Sequence, residues 1–323
     1  MLEKIASILK SEDDFLVVTH INPDGDALGS LLGMHLALTE MGKDSRALCA
    51  DKFPAIYDFL PGHDQVVPDL KGIVHQPRFI IAVDAAEENR ISGDLSNIRN
   101  RAKLINIDHH VTNPGFGDIN CVQPDATSTA EIAHEIIKRA GHKLSVDVGK
   151  CLFTGLVTDT GGFRFAGVNS RTLRIGAEML AAGFESYDVI RPLYEEYPIR
   201  RIYLERLLLE RLEFFLDGKL IISTLYFEDF QKFGADMSET ESLVNRLRES
   251  KGVLAGILFT TMPDNFVRVS FRSKDSLNVS AIAQSLGGGG HSHAAGLKST
   301  LPLQELKDRI VQAVAQALDQ QPR

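Results

Sequence analysis

Aspartates and histidines fall immediately behind short apolar runs at four places in this chain. His20, Asp24 and Asp26 follow one in "VVTHINPDGDALGS", and Asp84 follows another in "FIIAVDAAEENR". Asp108, His109 and His110 end "LINIDHH", and Asp159 sits in "GLVTDTGGFRF". Carboxylate oxygen and imidazole nitrogen, without thiolate, suit Mn²⁺ or Mg²⁺, with Co²⁺ or Zn²⁺ accepted in vitro. Each residue alone also has an ordinary reading. Asp26 can cap the helix that follows it, because an N-cap carboxylate accepts backbone N–H bonds. Asp84 can close a strand end, and Glu87 and Glu88 read as solvated helix residues. Together, however, these carboxylates would crowd one cleft, repel one another and take up protons. Divalent cations remove that conflict. Two of them about 4 Å apart can activate a water and stabilise a phosphoryl transition state.

The elements that must position these groups alternate. "DFLVVTH" (14–20), "SRALCA" (45–50), "RFIIAVD" (78–84), "AKLINIDHH" (102–110) and "CLFTGLVTDT" (151–160) read as strands, the last beginning inside a helix as an alternative. Helical patterns cover 2–9, 26–42 and 128–141. Strands separated by helices predict a mostly parallel sheet covered on both faces, whose ligand sites gather beyond the carboxyl ends of the strands. A charged, leucine-rich stretch over 186–212 reads as a helical linker broken near Pro192 and Pro198. The rest reads as a smaller α+β domain: a hairpin turning at Asp217-Gly218, a helix over 238–250, two strands joined around Pro263-Asp264-Asn265, a helix over 278–286, and a last amphipathic helix over 303–319. The expected fold is α/β with domains 1–185 and 213–323 around that linker.

The 323 residues carry a formal net charge of -8, which argues against a broad surface for long duplex nucleic acid. Cys49, Cys121 and Cys151 share no metal-ligand spacing and suggest a reducing, cytoplasmic setting. No apolar run matches a membrane span, and the first residues lack a signal-peptide core. His35, His63, His75, His134 and His142 have no partner pattern; His35 reads as a packed or surface helix residue and His134 as structural. "TSTAE" offers Ser128 or Thr129 as a helix cap, with neighbouring N–H groups able to face an anion. Arg164 could approach substrate or pair with a surface carboxylate.

These motifs resemble the DHH phosphoesterase superfamily: "HINPDGDALGS", the strand ending in Asp84, "DHH" at 108–110, "TDTGGF", and a C-terminal "GGGGHSHAAG". Within that superfamily they resemble the bacterial bifunctional oligoribonucleases and 3′-phosphoadenosine-5′-phosphate phosphatases. The resemblance implies one cation on His20, Asp24 and Asp84, and a second on Asp26, His109 and Asp159, with Asp84 bridging. Mn²⁺ is the expected ion, with Mg²⁺ or Co²⁺ as alternatives. His110 would face the substrate phosphate and donate a proton or hydrogen bond. Asp108 would orient a neighbouring histidine or brace the loop, and Asn22 would support a ligand or contact the substrate.

"NFVRVSFRS" alternates, with Val267, Val269 and Phe271 on one face and Arg268, Ser270 and Arg272 on the other. Gly287–Gly290 then precede His291-Ser292-His293. Glycines let backbone approach a ligand, and arginine presents a fork suited to phosphate. The resemblance implies that Gly288, Gly289, His291, His293, Arg268 and Arg272 hold the nucleotide. Relatives carry proline where Ser292 stands. The implied activity is hydrolysis of short oligoribonucleotides to mononucleotides and dephosphorylation of 3′-phosphoadenosine 5′-phosphate, by a protein that can form a homodimer. The alternative is a phosphodiesterase for cyclic di-AMP or its linear product.

Overall fold

The structure, a computed structural model, describes residues 1–71, 76–240, 243–264, 266–274 and 276–319, and the side chains of these except Ser238 and His291. His75 and Asn265 lie outside the described residues. The chain divides into two compact units, Met1–Glu196 and Tyr197–Arg323.

The first unit is built on five parallel strands: β1 (Phe15–Val18), β2 (Ser45–Leu48), β3 (Phe79–Val83), β4 (Lys103–Asp108) and β5 (Ile119–Val122). Their spatial order is β2-β1-β3-β4-β5. Alternate residues feed two cores. Phe15, Val17, Phe79, Ile81 and Val83 join the core on one face, while Leu16, Val18, Ile80 and Ala82 join that on the other. The first core is roofed by α1 (Leu2–Ser11), α2 (Gly25–Glu40), α4 (Thr129–Arg139) and α5 (Val146–Asp159). The expected helical cover on both faces is only half present. The second face is closed by Leu70, Ile91, Leu95, Ile98, Ala102 and Phe116, from loops and the one-turn α3 (Ser96–Arg99).

Two sequence readings of this unit are corrected. Residues 151–159 belong to α5, with Thr160 as its C-cap, and not to a strand. A continuous apolar run fits a fully buried helix as well as a buried strand, and Ser145 caps this helix by accepting from Val148 N–H at 3.1 Å. β5 was not expected: it is four residues long, with an Asn and a Cys in its middle.

The stretch read as a linker contributes α7 (Tyr187–Tyr194) to the first unit and α8 (Ile199–Glu210) to the second, after α6 (Ser170–Leu180). Pro192 lies inside α7 and does not break it, and Pro198 sits at the start of α8. Position N-cap needs no N–H for the helix ladder, so proline fits there.

The second unit has a six-stranded mixed sheet of β6 (Glu213–Phe215), β7 (Leu220–Leu225), β8 (Ala255–Thr261), β9 (Val267–Ser273), β10 (Gly289–His291) and β11 (Ala294–Ser299). The β6–β7 hairpin turns through Leu216, Asp217 and Gly218, all at positive φ. One sheet face packs on α11 (Val279–Ser285) and α12 (Leu303–Asp319). The other packs on α8, α9 (Phe227–Phe233) and α10 (Leu243–Arg248). The glycine segment is partly strand: Gly289 to His291 pair with Gly296 to Ala294. Among the described residues, no helix is long and apolar enough to cross a membrane.

Candidate metal centre

Parallel register brings three of the four polar segments to one level. Val18 pairs with Ala82, and Ala82 pairs with Asn106. His20, Asp84 and Asp108 each stand two residues beyond that line. The strand order changes direction between β1 and β3, which opens a crevice at their carboxyl ends. Asp84 and Asn22 both take left-handed backbone conformations, at φ 57° and 53°. Asp and Asn tolerate this region better than most residues. Asp84 N–H donates to the Ile107 carbonyl at 3.0 Å, so its backbone is pinned to the next strand.

The helix cap falls to Asp24, not Asp26. Asp24 accepts from the N–H groups of Asp26 and Ala27 at 3.0 and 3.1 Å. Asp26 is buried instead, and its two oxygens accept from Thr129 and Ala130 N–H at 2.6 and 2.9 Å. These are unsatisfied first-turn donors of α4, which favour an anion. The N–H groups near "TSTAE" that were able to face an anion face a side chain of the same chain, and Ser128 is the cap. Asp159 reaches the cluster from the last residue of α5.

The donors converge on Asp84. His20 Nε2 stands 3.5 Å from Asp84 Oδ2. His109 Nε2 lies 3.3 Å from Asp159, 3.6 Å from Asp84 and 4.0 Å from Asp26. Three groups of donors each fit within 4.8 Å: His20 with Asp24 and Asp84, Asp26 with His109 and Asp159, and Asp84 with His109 and His110. Ligand atoms about 2.1 Å from a shared ion stand roughly 3–4 Å apart, so this spacing fits a divalent cation better than hydrogen bonds. The histidine tautomers fit as well. Nδ1 of His20 faces the Ile21 carbonyl at 2.8 Å, and Nδ1 of His109 faces the Ala126 carbonyl at 3.3 Å. A carbonyl cannot donate, so each Nδ1 carries a proton, and Nε2 is the ring atom aimed at the carboxylates and available to a cation.

Charge balance points the same way. Burial first, then Asp26, Asp24, Asp108 and Asp159, push the Asp84 carboxyl well above the usual range. Asp159 is raised too, by enclosure and then by Asp26 and Asp24, although 24% of its side chain remains exposed. Burial raises Asp26, with His109 opposing it. Ionising all of these requires added positive charge, and the residues present fit divalent cations as its source.

His110 and Asp108 are arranged differently. His110 Nδ1 is 2.7 Å from Asp108 Oδ1, while Asn113 Nδ2 donates to Asp108 Oδ2 at 2.6 Å. Burial opposes the charge on Asp108, but the bonds from His110 and Asn113 outweigh it and hold the carboxyl low. Asn113 also bonds Asn106 Oδ1 and the Ala85 carbonyl. Neither asparagine was anticipated: Asn113, before Pro-Gly, signals only a turn, and Asn106 only an interruption in an apolar strand. Arg164 Nε donates to the Gly161 carbonyl at 2.6 Å, a local bond that sequence reading did not foresee.

The remaining candidates lie in the second unit. Arg268 is exposed on β9; Arg272 is half-buried and donates to the Phe271 carbonyl. His293 Nδ1 meets Ser273 Oγ at 3.0 Å. Gly288 is packed so closely that a Cβ would stand 2.3 Å from the Gly296 carbonyl, whereas a Cβ at Gly289 would meet nothing within 4 Å. His291 is placed by its β10 backbone alone.

Comparison with known proteins matches residues 14–156 to the DHH family, N-terminal domain, and residues 217–320 to the DHHA1 domain. The chain is 32% identical to the "Bifunctional oligoribonuclease and PAP phosphatase NrnA" of Thermus thermophilus, across 97% of this chain and 93% of that one. It is 28% identical to the Bacillus subtilis protein of that name, across 88% of each. The Cyclic-di-AMP phosphodiesterase PdeA of Listeria monocytogenes is 25% identical across 97% of this chain but only 49% of its own length. The crystal structure of an exopolyphosphatase-related protein from Bacteroides fragilis superposes with a TM-score of 0.90 at 25% identity, covering 98% of this chain and 95% of that one.

Proposed function

The chain belongs to the DHH family, and on that premise we propose that it is a two-metal phosphoesterase acting on short oligoribonucleotides and on 3′-phosphoadenosine 5′-phosphate. The observation that carries this reading is the pair of donor groups His20–Asp24–Asp84 and Asp26–His109–Asp159, the second approaching the buried Asp84 carboxylate through His109 Nε2 at 3.6 Å. The names of the most similar full-length relatives supply the substrate class.

In this reading Asp84 is shared by both cation sites, and Mn²⁺ is the preferred ion, with Mg²⁺ and Co²⁺ as substitutes. When bound, such ions supply positive charge to phosphoryl oxygens and an activated water. The chain's own residues do the rest. Asp108 fixes the His110 ring through Nδ1, leaving Nε2 at the opposite corner to protonate the leaving oxygen. Asn22 contributes a substrate contact beside His20. In the second unit Arg268, Arg272, Gly288, Gly289, His291 and His293 bind the phosphates and base of the nucleotide.

The deciding experiment is a substrate panel with Mn²⁺: di- to pentanucleotide RNA, 3′-phosphoadenosine 5′-phosphate and cyclic di-AMP. Mononucleotides and AMP are the expected products. Failure to hydrolyse both of the first two substrates overturns the reading, and faster turnover of cyclic di-AMP than of linear dinucleotides replaces it.

A further inference from the structure

Thr129 is the first residue of α4 and is fully buried. Its two donors act on two different carboxylates. The backbone N–H donates to Asp26 Oδ2 at 2.6 Å, and the hydroxyl donates to Asp84 Oδ1 at 3.0 Å. One residue therefore ties a carboxylate from α2 to one at the end of β3. We propose that Thr129 is a positioning residue of the metal centre, its hydroxyl setting the rotation of the Asp84 carboxylate relative to Asp26. The inference rests on reading this cluster as a cation site.

The hydroxyl matters because little else fixes that rotation. The Asp84 backbone is already held by its left-handed φ and its bond to Ile107. The imidazole nitrogens around its carboxylate stand at 3.5 to 3.7 Å, beyond good hydrogen-bond distance. The Thr129 hydroxyl is within that distance. It occupies one lone pair of Oδ1 and leaves others for a cation. Partners of this kind, which do not touch the ion, typically change metal affinity about 10–100-fold when removed.

The head of α4 is itself anchored. Ser128 Oγ accepts from Glu131 N–H at 3.1 Å. Glu131 is 1% exposed; its Oε2 accepts from the N–H and hydroxyl of Thr127 at 3.2 and 2.7 Å. Its Oε1 forms an ion pair with Arg171 Nε at 3.0 Å without hydrogen-bond geometry, and Arg171 Nη2 donates to Gln123 at 3.2 Å. A buried carboxylate is costly unless paired and hydrogen-bonded, and here the partners lock the turn that precedes Thr129. The same turn offers the Ala126 carbonyl to His109.

The test is Mn²⁺ binding by calorimetry to the metal-stripped full chain, with thermal unfolding of each variant. The panel is wild type, Thr129→Val, Thr129→Ala, Thr129→Ser and Asp84→Asn. Thr129→Val and Thr129→Ala keep the backbone N–H and lose the hydroxyl; Thr129→Ser keeps both. We expect about 10–100-fold weaker binding in the first two and recovery to within a few-fold in Thr129→Ser. Wild-type affinity without the hydroxyl, beside weakened binding in Asp84→Asn, overturns the role of Thr129 and leaves the metal centre standing. Equal losses in all three Thr129 variants overturn it as well, since packing and not the hydroxyl would then be responsible. Unchanged affinity in Asp84→Asn overturns the metal centre and this inference together.

Discussion

Gly155 lies directly against Asp26: a Cβ on Gly155 would stand 2.7 Å from Asp26 Oδ1 and 2.8 Å from the Ala130 side chain. The same crossing of α2 and α5 admits no Cβ on Gly29, which would fall 2.4 Å from the Cys151 carbonyl. Glycine at these positions lets two buried helices approach until carboxylates from both, Asp26 and Asp159, reach one histidine. Replacing a mid-helix glycine with alanine ordinarily gains roughly 1 kcal/mol. Here overpacking should cost about 1–3 kcal/mol and displace Asp26. Gly155→Ala is expected to melt lower than wild type and to lose more turnover than its unfolded fraction explains. Equal melting temperature and kcat would contradict this packing.

Asp84 joins His20 and Asp24 in one donor group and stands 3.6 Å from His109 Nε2 of the other, and the proposal shares it between both cation sites. Asp84→Ala should nearly abolish turnover and lower the number of Mn²⁺ ions bound, as read by metal analysis after dialysis. Full occupancy together with an unchanged rate would remove Asp84 from its proposed role.

His110 has two readings that one variant separates. Its Nδ1 is engaged by Asp108, yet it also falls in a donor group with Asp84 and His109. As a proton donor, its replacement in His110→Gln should lower kcat by about 10²–10⁴-fold with Mn²⁺ affinity retained. A parallel loss of Mn²⁺ affinity would make it a ligand.

The raised carboxyls predict an unusual pH response of the metal-stripped protein. A group whose folded pKa is raised stabilises the fold fully below its unfolded value, and that contribution is lost as pH rises through the folded pKa. Asp84, Asp26 and Asp159 all have this sign. Asp108 has the opposite one, its contribution being lost as pH falls through its lowered folded pKa. Asp84→Asn should therefore raise the metal-free melting temperature near neutral pH, with the gain shrinking toward about pH 4. Mn²⁺ should raise the wild type instead. Melting curves over that interval check both, and a neutral-pH loss of stability in metal-free Asp84→Asn would reverse the sign.

Two neighbouring glycines of the second unit should respond differently. Gly288→Ala meets the Gly296 carbonyl and the Leu297 side chain, and should destabilise the β10–β11 hairpin. Gly289→Ala meets open space and should melt like wild type. If nucleotide lies against Gly289, its KM for short RNA should rise with Mn²⁺ affinity unchanged. Wild-type KM would remove Gly289 from the substrate site.

The sequence by itself determined the strands that end in chemistry. Hydrophobic runs such as "FLVV", "FIIAV" and "LINI" are read by period and composition, and whatever follows them must emerge at the edge of a sheet. The donor set was legible for the same reason, and its assignment to two sites came from family resemblance. Residue 159 was placed behind an apolar run correctly but on the wrong element, because a helix buried on all sides has no polar stripe to reveal its period.

Only the tertiary structure decided which groups hold the donors in place. Thr129, Asn106, Asn113, Glu131 and Arg171 are separated in sequence from what they support by up to 103 residues, the span between Asp26 and the N–H of Thr129. Their types say no more than cap, turn or surface charge. Local sequence specifies local conformation. The partner of a buried polar group depends on which segments the sheet register and the helix crossings bring together.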